Sequence, residues 1–153
     1  MKNFQVCQTV ELSGIRLAYA VALVEGITGR IPQRGRDSLI RLYLLKRHSD
    51  HRDCWGKPQA EPVSFDEAEY LFDNDSGGMY HPHMSWGTGG PIVERHRIAW
   101  EPAGDGWIAK HGTFENAPYA QQHAVLGRTQ LEAAMRLHVR DRFGDTLQLP
   151  DYI

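Results

Sequence analysis

The stretch Gly127-Arg128-Thr129-Gln130-Leu131-Glu132-Ala133-Ala134-Met135-Arg136 decides the fold. Thr129 and Glu132 stand in the S/T-x-x-E relation of a capping box. The hydroxyl is placed to accept the N–H three residues on, and the carboxylate to reach back to the N–H of Thr129. Beyond the cap, Leu131, Ala134, Met135, His138, Val139 and Phe143 recur at helical spacing and make one face apolar. Gly144 supplies a left-handed stop. The spacing predicts a core helix over 130–143 with Met135 and Val139 buried. Its N-terminus is flanked by a glycine and an arginine, a setting that suits an anion.

Outward from this helix the same logic finds a second one. Ser13 precedes a run of helix formers from Ile15 to Glu25, closed by Gly26, and Leu17, Ala18, Val21, Ala22 and Val24 make it apolar over a wide arc. Phe4 and Val6 alternate with polar neighbours, as a strand does. Ser38–Lys46 reads equally as a strand or a short helix. Ser64-Phe65-Asp66-Glu67 is another capping-box pattern and predicts a short helix to about Phe72. Asn74–Gly90 reads as an irregular glycine-rich loop, and Ile92–Arg95 and Arg97–Glu101 as strands. Asp105-Gly106 turns the chain back into Trp107–Lys110, residues 112–122 read as loop, and Thr146–Leu149 is an edge strand stopped by Pro150. Two apolar-faced helices separated by short strands predict an α+β fold, an antiparallel sheet with helices packed on it. The expectation is a single domain over 1–153 with an insertion at about 30–75.

Bulk properties narrow the function classes. The 153 residues are 41% apolar and 24% charged, enough to bury a core without metal or disulfide staples. The net charge of −2 argues against a general nucleic-acid binder, which is normally basic. Two cysteines, Cys7 and Cys54, form no disulfide framework and suit a reducing compartment. Met1–Gln5 opens no apolar leader, and no run approaches the roughly 18 apolar residues of a membrane span. These features predict a cytoplasmic protein without a membrane partner, a cofactor or an assigned metal site.

Three segments together resemble a known group. Glu11-Leu12-Ser13-Gly14 through Ala20-Val21-Ala22 and Glu25-Gly26 is similar to the opening helix of the NinX-like phage proteins. Tyr80-x-Pro82 with Trp86-x-x-Gly89-Gly90-Pro91-Ile92-Val93-Glu94-Arg95 resembles their central W-x-x-G-G-P-I-I-E-R motif. Gly127-x-Thr129-x-Leu131-x-Ala133-Ala134-Met135-Arg136 resembles their closing G-P-T-P-L-x-A-A-M-R helix start, with Arg128 and Gln130 in place of prolines. The likeness covers residues 9–26 and 80–153. It implies a tailed-phage or prophage origin and an α/β sandwich, and it implies no activity.

The candidate sites each have a plainer counterpart. Trp86-Gly87-Thr88-Gly89-Gly90-Pro91 can bring backbone N–H groups and an indole to a ligand, or it is a loop whose Trp86 plugs the core. Gly127-Arg128-Thr129 can bind phosphate or carboxylate, or it is an ordinary helix cap beside a solvated arginine. Arg95 and Arg97 share a face if the segment is a strand, and either join that anion site or are simply solvated. The ligand-binding candidates are therefore Trp86, Gly89, Gly90, Arg95, Gly127, Arg128 and Thr129, expected where Trp86–Arg95 and Gly127–Thr129 meet. His48, His51 and Cys54, with His81 and His83, are metal-capable but lack the paired spacing of a structural zinc site. Glu94, Asp105 and Glu115 are acids without a catalytic partner set, so no catalytic residue is assigned. Arg30, Arg34, Arg36, Arg41, Lys46, Arg47 and Arg52 make 30–75 locally basic, and Leu39, Tyr43, Leu44 and Trp55 add hot-spot residue types. The leading expectation is a non-catalytic phage accessory protein that sequesters a small anionic, nucleotide-like ligand as a counter-defence factor. The alternative is an inhibitor that binds a host defence protein through 30–75, with a His-dependent metalloenzyme behind both.

Overall fold

Residues 4–27, 42–45, 65–66, 68–73, 75–111 and 124–150 are described by a computed structural model of the chain. In chain order the elements are β1 (Phe4–Gln8), a 3-10 turn (Thr9–Glu11), α1 (Gly14–Val24), β2 (Leu42–Leu45), β3 (Tyr70–Asp73) and β4 (Gly78–Met79). There follow α2 (Trp86–Arg95), β5 (Ile98–Ala103), β6 (Gly106–His111), β7 (Val125–Gly127), α3 (Gln130–Phe143) and β8 (Thr146–Pro150).

The helix read from Thr129 is the hub. Thr129 caps it with its side chain, accepting the Glu132 N–H at 3.1 Å. The returning half of the box differs from expectation by one residue: Glu132 Oε1 accepts the N–H of Arg128 rather than that of Thr129. Met135 and Val139 are fully buried, as the spacing predicts, and so are Ala133, Ala134 and Leu137. Burial thus extends over most of the helix circumference rather than one face, because α1, α2 and the β5–β6–β7 sheet all pack on α3. Phe143, at its end, is exposed. Gly144 closes α3 at φ 82°, and its carbonyl accepts the hydroxyl of buried Thr9 at 2.8 Å.

α1 is buried continuously from Leu17 to Ala22, so it lies inside the molecule rather than on it. Its end has the hydrogen bonds of a Schellman motif: Gly26 N–H to Leu23 O and Ile27 N–H to Ala22 O, with Gly26 at φ 72°. This fixes Glu25 as the capping residue.

The expected α+β class holds, and among the described residues every strand pairing is antiparallel. The described strands form three small sheets, β1–β8, β2–β3–β4 and β5–β6–β7, instead of one. The hairpin expected at Asp105-Gly106 joins β5 to β6 and turns at Gly104-Asp105, with Gly104 at φ 57°. Phe4 and Val6 do form a strand, but they face solvent. Pairing places Gln5 opposite Leu149 and Cys7 opposite Leu147, and it is the buried leucines that set the inward face.

The short helix expected to reach Phe72 is not formed: Phe65 and Asp66 lie in a turn, and Tyr70–Asp73 is a strand. Leu71 and Asp73 point inward with a period of two, and Leu71 pairs with buried Leu44. That pairing resolves the Ser38–Lys46 ambiguity in favour of a strand at 42–45. Leu42, Leu44 and Leu71 belong to the core, so part of the 30–75 segment is structural. Arg30, Arg34, Arg36, Arg41, Lys46, Arg47, Arg52, His48, His51, Cys54, Leu39 and Trp55 lie outside the described residues, as does the 112–122 loop.

Candidate functional site at the paired helix starts

The segment Trp86–Arg95 is one helix, not a loop followed by a strand. Its composition disguises it. Gly87, Gly89, Gly90 and Pro91 each disfavour a helix, the glycines by about 1 kcal/mol and the proline by about 3. Two observations explain why it forms anyway. Gly89, Ile92 and Val93 are its buried residues, a three-four spacing that needs helical geometry. At Gly89 the backbone also approaches its neighbours so closely that a Cβ would lie 2.1 Å from Pro82 O and 3.0 Å from Leu131 Cδ2. Tertiary packing overrides propensity here. The supposed strand face of Arg95 and Arg97 does not exist: Arg95 ends the helix, and Arg97 follows it at φ 49°.

The start of α2 lies against the first turn of α3, at Gln130 and Leu131. Trp86 is 52% exposed, so it does not plug the core. Its ring lies edge-on to Trp100 with centroids 5.8 Å apart. The Trp100 indole N–H donates to Gln130 O at 2.8 Å, at the first residue of α3. A single aromatic ring therefore joins the start of α2 to the start of α3. Gly90 lies beneath Trp86, whose Cε3 is 3.9 Å from where a Cβ would stand.

The other candidates separate by role. Gly127 is buried against α3, where a Cβ would fall 2.3 Å from Ala133 N, so it serves packing. Thr129 serves the cap. Glu132, buried beside the helix start, accepts the Arg128 N–H and lies 3.2 Å from Arg136 Nη2. The chain's own carboxylate thus takes up the anion role at this helix end. Arg128 projects outward, its side chain 81% exposed, with one long ion pair to Glu132 at 3.6 Å. Arg95 stands at the far end of α2 and joins Glu25 instead, at 2.5 Å. Of the candidates, Trp86 and Arg128 are the exposed side chains.

Three histidine features became visible only in the fold. His83 is buried with its Nδ1 unpartnered among the described residues, and burial, aided by the charge of His81 and opposed by Glu132, pushes its pKa down to about 4. His111 and Asp141 join β6 to α3 at 2.6 Å. Glu25, His96 and His138 converge from the ends of α1 and α2 and from the middle of α3. His138 Nε2 lies 2.8 Å from Glu25 Oε1, and the His96 and His138 rings are 4.5 Å apart. Burial and the neighbouring positive groups hold His138 below its usual value against the pull of Glu25. Burial works to raise the Glu25 carboxyl, and the hydrogen bonds and charges of His138 and Arg95 outweigh it and lower it. No local spacing signals this cluster, since its members are 42 to 113 positions apart by residue number.

The fold and these surfaces define a small α+β protein whose sheets are all antiparallel and whose second and third helices are docked start to start. The chain belongs to the Bacteriophage P22, NinX family, whose model matches residues 8–142. It is therefore a phage accessory protein. The matched range includes residues 30–75. Within the matched range, Gly89 packs α2 closely on Pro82 and Leu131, and Gly127 packs β7 closely on Ala133. A search of curated proteins finds no match. Among the described residues no helix is long and apolar enough to cross a membrane.

Proposed function

We propose that this phage accessory protein is a non-catalytic binding protein that sequesters a small anionic, nucleotide-like ligand and so acts as a counter-defence factor in the infected cell. The observation that carries this reading is the exposed Trp86 ring, held against Trp100 and through it to the start of α3, on the junction from which Arg128 projects. An aromatic face and a planar cation are complementary to a base and a phosphate. The attraction for phosphate comes from the Arg128 guanidinium, because Glu132 already satisfies the helix end. Packing accounts for Gly89 and Gly127, so they support the platform from behind.

A panel of mononucleotides and dinucleotides tests the reading by thermal unfolding, since a ligand held only by the native state raises the midpoint. Arg128→Glu should abolish the rise and leave the unliganded midpoint nearly unchanged, because an exposed pair is worth only about 0–1 kcal/mol. A midpoint indifferent to every nucleotide, together with a host protein retained on the chain and lost when 30–60 is altered, supports the inhibitor reading instead.

A further inference from the structure

We propose that Glu25, His96 and His138 form a binding site for one divalent transition-metal ion, with zinc the best match. Each contributes one ligand atom, and the three atoms lie within 4.8 Å of one another. Tetrahedral zinc with bonds of about 2.0–2.2 Å holds its ligand atoms roughly 3.3–3.6 Å apart, so the cluster needs a closure of about 1 Å. Two imidazoles and one carboxylate are a donor set of zinc sites that keep a fourth position for water. The surroundings are graded in the way such a site requires. His138 is buried, Glu25 is half-buried, and His96 is exposed, so an ion reaches the cluster from the His96 side.

The ligands are positioned by helix ends. Glu25 is the cap of α1, fixed by the Schellman hydrogen bonds, and His96 is the cap of α2. Arg95 marks where a cation sits. Its Nη2 lies 2.5 Å from Glu25 Oε1, and its Nε donates to His96 Nε2 at 3.4 Å. One guanidinium thus engages two of the three proposed ligands. Its side chain is 54% exposed and can leave for water when an ion arrives. Ligation of His138 through Nε2 moves that nitrogen's hydrogen to Nδ1 and keeps the ring neutral. The site is separate from the Trp86 platform, lying about 14 Å along α2, and does not depend on the proposed function.

The test is calorimetric titration of the chelator-stripped full chain with zinc chloride, with cobalt(II) absorption as a second readout. The expected result is one ion per chain and the visible bands of tetrahedral cobalt. His96→Ala, at an exposed position, and Glu25→Gln should each weaken zinc at least as much as loss of an outer-shell partner does, about 10–100-fold. Arg95→Gln should tighten it by roughly tenfold, because it removes a competing positive charge. The triple change His48→Ala, His51→Ala and Cys54→Ala should leave it intact. Absence of stoichiometric binding would overturn the proposal. So would binding that survives His96→Ala and Glu25→Gln, or disappears with the triple change.

Discussion

His83 shows what a single buried residue does to the whole chain. In the folded protein its pKa lies at about 4, against 6.5 for an unperturbed imidazole. Above pH 6.5 it is neutral in both states and costs nothing. As the pH falls from 6.5 towards 4, the unfolded chain binds a proton that the folded chain refuses, so stability is lost. The full loss is about 3 kcal/mol from a difference of this size. His83→Gln should flatten that part of the stability–pH curve, as measured by urea midpoints at several pH values. Parallel curves for the two proteins would show that His83 is not held neutral by the fold. In the sequence His83 stands out only as a neighbour of His81. Its burial and the nearby charge of Glu132 exist only in the fold, and no local pattern carries them.

At the scale of elements, α2 is where composition and structure part. Its two glycines at positions 87 and 89 look alike in sequence and should respond oppositely. Around Gly87 the only atom of the described residues close to an added Cβ is Ser85 Oγ at 3.5 Å, an ordinary contact. Gly87→Ala should therefore stabilise the protein by about 0.5–1 kcal/mol, the usual gain in a helix. Gly89→Ala offers the same propensity gain but drives a methyl into Pro82 O, and should destabilise by about 1–3 kcal/mol or more. Thermal midpoints of the two variants should shift in opposite directions, and a rise in both would refute the close docking of α2. The buried spacing of Gly89, Ile92 and Val93 was present in the sequence, but the smallest residue occupied one of its three positions. A glycine gives no hydrophobic signal. By contrast α1 and α3 were readable because leucine, valine and methionine mark their buried turns, and the β5–β6 hairpin because its turn is local.

At the scale of the molecule, what the sequence left open is long-range pairing. β1 joins β8 from the opposite end of the chain, and the leucines of β8 decide which face of β1 is buried. The same holds for function. The link from Trp86 through Trp100 to the start of α3 exists only in the fold, and Arg95, expected at the anion site because its segment reads as a strand, stands at the far end of α2 on Glu25. The Glu25–His96–His138 cluster needed two helix ends and the middle of a third helix in place before its chemistry existed. The central claim is that the Trp86–Arg128 surface holds a small anionic ligand. The most direct measurement is mass spectrometry of small molecules released by heating protein isolated from phage-infected cells, comparing the natural chain with Arg128→Glu. The account predicts a phosphate-bearing, ring-containing molecule in near-stoichiometric amount from the natural chain and its loss from the variant. No such molecule from either protein, or the same amount from both, would contradict it.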